Sequence, residues 1–92
     1  MNDRITKDKI KKYRDLTKRA LKIARTKISN KKEKEAEEII EMVSNYLSDS
    51  EYFEERGDYV NSFAAINYAH GWLDCGARLK IFNVKDRKLF TV

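Results

Sequence analysis

The sequence contains no proline and only three glycines among its 92 residues. Proline removes a backbone hydrogen-bond donor and kinks or ends a helix, and glycine weakens a helix interior. The composition therefore favours long uninterrupted helices over hairpins or disorder. A chain of this length makes one domain near the small end of what can bury its own core, which favours a helical bundle or an oligomer.

Charge is separated along the chain. Residues 1–34 hold 14 basic and 4 acidic side chains, residues 35–58 hold 1 and 9, and residues 59–92 hold 5 and 2. The three segments carry formal charges of +10, −8 and +3, which sum to the overall +5. Exposed ion pairs contribute only about 0–1 kcal/mol each. We therefore expect this separation to determine which helices pair with one another, and to contribute little to their stability.

Apolar periodicity predicts the first two helices. Over about residues 4–28 an apolar side chain recurs every third or fourth position, which collects these side chains on one helix face. Over about residues 31–55 the apolar positions follow a nearly seven-residue repeat, flanked by glutamates. Because only a short turn separates them, the two helices are expected to be antiparallel neighbours.

Capping residues predict where the helices begin and end. Asn30 can cap the second helix while Glu33 reaches back to its backbone N–H, a capping-box pattern. Gly57 can adopt the left-handed conformation that ends a helix, and Asp58 is a good N-cap for the next one. Asn83 is expected to end the third helix, which leaves residues 83–92 as a short C-terminal tail.

The third helix, predicted over about residues 59–82, has an apolar arc wider than half of its circumference. It must therefore contact more than one neighbour. Gly71 and Gly76 suggest close backbone approach, since glycine in a helix costs about 1 kcal/mol relative to alanine. Six side chains in the middle of this helix are assigned to core packing: Tyr68, Ala69, Trp72, Leu73, Gly76 and Leu79.

A polar strip runs along the rest of the third helix, formed by Asn67, His70, Asp74 and Arg78. Spacings of three and four place these side chains one above another. In a functional interpretation His70 transfers a proton, Asp74 orients it and Arg78 holds an anion. The preferred interpretation is a surface or interface strip whose members satisfy one another. No nucleophile faces His70, and His70 with Asp74 alone would lack ligands for a metal, so no catalytic residue, metal or cofactor is predicted.

A basic stripe lies on the outer side of the first helix. Its members could follow nucleic-acid phosphates: Lys7, Lys11, Arg14, Lys18, Lys22 and Arg25. Clustered Lys and Arg on one helix face is the electrostatic pattern that such binding needs. Because no aromatic or amide side chain lies between them to read bases, a solvated face that balances the acidic second helix is preferred.

The chain resembles a family of short archaeal proteins, the domain of unknown function 357. The resemblance rests on Gly57-Asp58, the run 61–74, Gly76, Arg78-Leu79 and Leu89-Phe90, and it is most specific in the third helix. It implies an archaeal cytosolic protein with a three-helix up-and-down bundle and no established activity, ligand or catalytic residue. Cys75 and Lys80 stand where family members often have alanine or glycine.

The sequence therefore predicts an all-α fold: a three-helix up-and-down antiparallel bundle spanning residues 1–92. The leading hypothesis is a non-enzymatic interaction module that contacts an unknown protein partner, or a second copy, through its third helix. Nucleic-acid binding and a small-anion or acid–base site at the polar strip are the alternatives. No signal peptide and no apolar run of roughly 18 residues is found, so a cytoplasmic protein without membrane contact is expected. The tail could dock on the bundle or on a partner.

Overall fold

The computed structural model describes residues 4–91 and confirms the predicted all-α bundle. Its three helices are α1 (Lys7–Arg25), α2 (Glu33–Glu55) and α3 (Tyr59–Arg78). Within residues 4–91 no β-strand is formed, and only an isolated antiparallel bridge joins Ile28 and Phe82. Residues 1–3 of the predicted domain, and Val92 of the predicted tail, lie outside the described residues.

The helices run up, down and up, with α3 packed most extensively on α2 and less on α1. Contacts pair the start of one helix with the end of the next, as in the ion pairs Arg14–Glu54 and Lys18–Glu51 between α1 and α2. Between α2 and α3 the same antiparallel order appears in Ser50–Ser62 and Tyr46–Tyr68. The charge separation of the sequence therefore places the basic α1 beside the acidic α2.

The start of α2 differs from the prediction. Asn30 does not cap this helix: α2 begins at Glu33, and Lys32 occupies the N-cap position without a side-chain hydrogen bond. The physical reason is that the preceding segment pairs with the chain leaving α3, where the Ser29 N–H donates to the Ile81 carbonyl over 2.9 Å. Asn30 is thereby held in a turn before the helix, while the Glu33 carboxylate accepts from the Lys31 N–H at 3.3 Å.

The junction between α2 and α3 matches the prediction. Gly57 has a φ of 75°, and its N–H donates to the Glu54 carbonyl over 2.9 Å. The Asp58 N–H donates to the Phe53 carbonyl at the same distance, which completes a Schellman motif. The Asp58 side chain then caps α3 by accepting from the Asn61 N–H at 3.2 Å. The roles predicted for Gly57 and Asp58 are confirmed.

The end of α3 is earlier than predicted. The helix stops at Arg78, and Lys80 adopts the left-handed conformation with a φ of 61°. The Ile81 N–H reaches back to the Gly76 carbonyl over 2.9 Å, so the chain folds under the helix instead of extending it to Phe82. Asn83 does not end the helix; its N–H donates to the Lys27 carbonyl over 2.7 Å, which ties this exit to the end of α1.

Gly76 is where the returning chain meets α3. A Cβ built on Gly76 would lie 2.6 and 2.7 Å from ring carbons of Phe82 and 3.1 Å from the Ile39 side chain. Phe82 is only 1% exposed, so its ring has no free space to move into. The close approach predicted for Gly76 is confirmed, whereas Gly71 has no atom within 4 Å of the same built position, and the prediction is wrong there.

The core assignment on α3 is correct for only half of the six side chains. Ala69, Leu73 and Gly76 are buried. Tyr68, Trp72 and Leu79 are exposed instead, with 63%, 38% and 64% of their surface accessible. Two neighbouring helices cover only part of the wide apolar arc, because α1 and α2 pack on adjacent sectors of α3 and leave the remaining sector open.

The tail docks on the bundle. Leu89 and Phe90 are each 3% exposed and belong to the same buried cluster as Leu73 and Ala77 of α3. The sequence left open whether this segment covers the bundle or a partner, and in the folded chain it covers the bundle. Its docking places main-chain groups of the tail beside the polar strip of α3.

We expect Gly76→Ala to lower the free energy of unfolding by about 1–3 kcal/mol, because the added methyl group overpacks against the Phe82 ring. Gly71→Ala, five residues earlier on the same helix, is the matched control and should instead stabilise the protein by about 0.5–1 kcal/mol. Urea unfolding followed by circular dichroism measures both. Equal changes in the two variants would contradict this role of Gly76.

Candidate functional site

His70 uses both ring nitrogens inside the protein. Its Nδ1 lies 3.0 Å from the Thr17 hydroxyl on α1, and its Nε2 lies 2.7 Å from the Leu89 carbonyl in the tail. A carbonyl oxygen only accepts, so Nε2 carries a proton and donates it. With the ring neutral, Nδ1 accepts from the Thr17 hydroxyl. The histidine therefore links α1, α3 and the tail.

Asp74 is the second contact between the polar strip and the tail. Its Oδ1 accepts from the Thr91 N–H at 2.9 Å and lies 3.7 Å from the His70 Nε2, beyond hydrogen-bond distance. Arg78 and Asn67 are exposed, and within the described chain no ion pair joins Arg78 to Asp74. The structure thus divides the strip: its two middle members hold the tail, and its two ends face solvent.

A cavity of about 280 Å³ lies between α1 and α3 next to this contact. Its lining combines apolar and polar side chains: Tyr13, Leu16, Thr17, Ile66, Asn67, His70, Gly71 and Asp74. A small-anion or acid–base site at the polar strip remains a prediction. Because both ring nitrogens of His70 already have partners, proton transfer by this histidine would require the tail to leave first.

The basic stripe of α1 is interrupted in its middle. Arg14 turns inward, with a side chain only 11% exposed, and its Nη2 lies 2.6 Å from the Glu54 carboxylate. Lys18 is exposed but pairs with Glu51 at 3.1 Å. The remaining members are exposed: Lys7, Lys11, Lys22 and Arg25. Acidic α2 side chains thus engage the two central members, and nucleic-acid contact by the stripe remains a prediction.

Arg14 begins a buried polar network that the sequence did not reveal. Its Nη2 donates to the Ser50 hydroxyl at 3.1 Å. The Ser62 hydroxyl donates to the Ser50 carbonyl at 2.7 Å, so Ser50 donates its own proton to Ser62 across 2.9 Å. Both serines are fully buried. The apolar repeat of α2 includes Ser50, which signalled its burial, but no local pattern identified partners on two other helices.

An aromatic and apolar surface lies on the exposed side of α3. We call it the α3 apolar face and define it as Tyr68, Trp72 and Leu79. At 100° per residue these three side chains fall within about 40° of one another. Tyr68 also stacks on Tyr46 of α2, with ring centroids 5.4 Å apart. Despite this exposed apolar surface, no helix within residues 4–91 is long and apolar enough to cross a membrane.

The α3 apolar face borders a shallow groove. Asn67, Gly71 and Cys75 line this groove together with two members of the face. Gly71 has no atom within 4 Å of the position of a Cβ, and the Cys75 thiol is free and exposed. His70 lies about 160° round the helix from Tyr68 at 100° per residue. The tail contact and the α3 apolar face are therefore separate surfaces of one helix.

We expect His70→Ala to lower the free energy of unfolding by about 1–3 kcal/mol, because the buried Thr17 hydroxyl and the Leu89 carbonyl both lose their partner. Hydrogen exchange at the Thr91 amide should also become faster as the tail loosens. Asn67→Ala removes an exposed member of the same strip and should change the stability by less than about 0.5 kcal/mol. Similar losses in both variants, measured by urea unfolding, would contradict the anchoring role of His70.

Comparison with known proteins identifies one family. Residues 12–82 match the family described as Protein of unknown function (DUF357), which covers all three helices from the second turn of α1 to Phe82. Comparison with curated proteins gave no match, and neither did comparison with solved structures. The matched segment includes His70, Asp74 and the α3 apolar face, and it ends before the tail. The chain belongs to the DUF357 family.

Proposed function

We propose that the protein is a small non-enzymatic interaction module that binds another protein through the α3 apolar face. The observation that carries this proposal is the exposure of Tyr68, Trp72 and Leu79 on one side of the helix that also forms most of the core contacts. Large aromatic side chains cost little conformational entropy to order and dominate the binding energy of many protein interfaces. A second copy of the chain is the first partner to test.

The distribution of exposed apolar side chains supports α3 as the contact element. Among residues 4–91 six large hydrophobic side chains are exposed, and four of them lie on α3 or at its C-cap: Val60, Tyr68 and Trp72 on the helix, and Leu79 at the C-cap. From Tyr68 to Leu79 the face spans about 17 Å at 1.5 Å per residue, long enough for two helices to pack along it. The open backbone at Gly71 would allow a partner side chain to approach α3 closely.

The arrangement around His70 supports a non-enzymatic role. Both ring nitrogens are satisfied by Thr17 and the tail, and Asp74 binds a main-chain N–H. A general base needs a nitrogen within hydrogen-bond reach of its substrate. Within residues 4–91 no three side chains of the metal-binding types come together as a metal site.

We expect the wild-type chain to form dimers or larger species that increase with concentration, and Tyr68→Glu to abolish them by placing a charge in the apolar contact. Tyr52→Glu is the matched control, because Tyr52 is an exposed tyrosine of α2 with 52% of its surface accessible. Size-exclusion chromatography with light scattering gives the mass. A monomer of 10.9 kDa at every concentration would exclude self-association.

A different partner would be identified by capture from a cell extract with three baits: wild type, Tyr68→Glu and Tyr52→Glu. Proteins retained by wild type and by Tyr52→Glu, but lost with Tyr68→Glu, are the expected result. The proposal is wrong if two results are obtained together. These are that every captured protein binds Tyr68→Glu and Tyr52→Glu equally, and that the wild-type chain is a monomer. Circular dichroism of each bait controls for loss of folding.

A further inference from the structure

The tail lies on the bundle in the way that a bound peptide lies on a receptor. Two polar contacts join side chains of α3 to main-chain groups of the tail: His70 to the Leu89 carbonyl and Asp74 to the Thr91 N–H. Between these contacts Leu89 and Phe90 supply two buried apolar anchors. Main-chain hydrogen bonds combined with pockets for side chains are a common way to recognise peptides. We call this surface the tail groove and define it as Thr17, His70 and Asp74 with the apolar surface under Leu89 and Phe90.

The first part of the tail connects α3 to the docked residues 89–91 and is largely exposed. Residues 85–88 are exposed, and Val84 is only partly buried. Asp86 organises a local turn by accepting from the Lys88 N–H at 2.8 Å and from the Phe90 N–H at 3.0 Å. The contacts that hold the tail to α3 through main-chain groups therefore begin at Leu89, beyond an exposed connection.

The side chains that hold the tail lie within the family match. The match covers residues 12–82 and includes Thr17, His70 and Asp74, whereas residues 83–91 lie beyond it. The side chains that bind main-chain groups thus belong to the shared family region. Leu89 and Phe90, which carry part of the family resemblance in the sequence, lie just beyond the matched residues.

The tail leaves part of the surface beside the groove unfilled. The cavity of about 280 Å³ next to His70 extends to Tyr13 and Ile66, and Ile66 lies one turn before His70 on α3. The tail runs from His70 towards Asp74, so Ile66 lies on the side of His70 that the docked end of the tail leaves free. In this chain residues 84–86 lie beside Ile23 and Lys27 instead, and among the described residues of the tail none lines the cavity. A peptide that approaches the Leu89 position from the Ile66 side could fill both the groove and the cavity.

We propose that the tail groove is a binding site for a short peptide of another protein, and that the tail is its tethered competitor. The ligand would carry an apolar residue followed by an aromatic one, as in Leu-Phe, with an apolar residue before this pair to enter the cavity. His70 donates to the carbonyl of the apolar residue, and Asp74 accepts from the N–H two positions later. Because a short tether gives an effective concentration on the order of millimolar, only a ligand that gains contacts beyond those of the tail displaces it.

The direct test uses the full chain with Leu89→Ala and Phe90→Ala, which removes both anchors and leaves the groove unoccupied. The probe is a fluorescent peptide with the sequence of residues 85–92, and its anisotropy reports binding. We expect saturable binding that is lost when Leu and Phe of the peptide are replaced by alanine. Adding Asp74→Ala should weaken binding about tenfold or more, because a hydrogen bond to a charged group contributes about 1.5–3 kcal/mol.

Two controls separate this proposal from the function proposed for the α3 apolar face. Adding Tyr68→Glu should leave peptide binding unchanged, since Tyr68 lies on the other side of α3. A folded double-alanine chain that fails to bind the peptide, or binds it equally well with Asp74→Ala, overturns the tail groove as a binding site without affecting the α3 apolar face. Folding is checked by circular dichroism and a cooperative urea transition.

If the double-alanine chain does not fold, the wild-type chain provides a second test. Unlabelled peptide, at several times the roughly millimolar effective concentration of the tether, is added to isotopically labelled protein. The peptide carries an added leucine before the Leu-Phe pair to fill the cavity. We expect the amide signals of Leu89–Thr91 to move to the positions of an undocked tail while the helix signals persist. Tail signals that stay in place at saturating peptide overturn the proposal.

Discussion

The contact between Gly76 and Phe82 is the constraint on which the rest of the structure depends. The ring occupies the place of a Cβ on α3, so glycine at residue 76 lets the chain fold back closely under its own helix without overpacking. This return brings Phe82 to Ile28, where the isolated bridge ties the exit of α3 to the loop between α1 and α2. One close approach thereby closes the open end of the bundle and sets the direction of the tail.

Three sectors of α3 have three different roles. One sector packs on α2 and α1 and includes Ala69 and Leu73. A second sector, with His70 and Asp74, binds main-chain groups of the tail. The third sector is the α3 apolar face. A helix that is apolar over more than half of its circumference needs more than two neighbours, and the tail supplies only one of those that are missing.

The buried polar groups determine how the helices are aligned along one another more than they increase the stability of the fold. Arg14, Ser50 and Ser62 connect all three helices in one directional chain of hydrogen bonds. A shift of one helix along another would leave these buried groups without partners, at a cost of about 1–3 kcal/mol each. Apolar side chains of α2 and α3 tolerate small displacements better, because dispersion contacts are non-directional. The network therefore distinguishes the native alignment from shifted packings.

Local signals were sufficient for the presence and order of the helices and for the turn at Gly57 and Asp58, because periodicity and capping depend on residues only a few positions apart. They were not sufficient for the start of α2 or the end of α3, where the chain pairs with distant residues. The sequence by itself determined the all-α class and the up-and-down order. It predicted close approach at Gly71 and Gly76 alike, and only the tertiary structure decided that it occurs at Gly76. Only the tertiary structure decided that Arg14 turns inward, that Trp72 remains exposed and that His70 binds the tail. Each of these outcomes depends on residues distant along the chain, and no local pattern records which of several apolar or basic side chains a neighbouring element will cover.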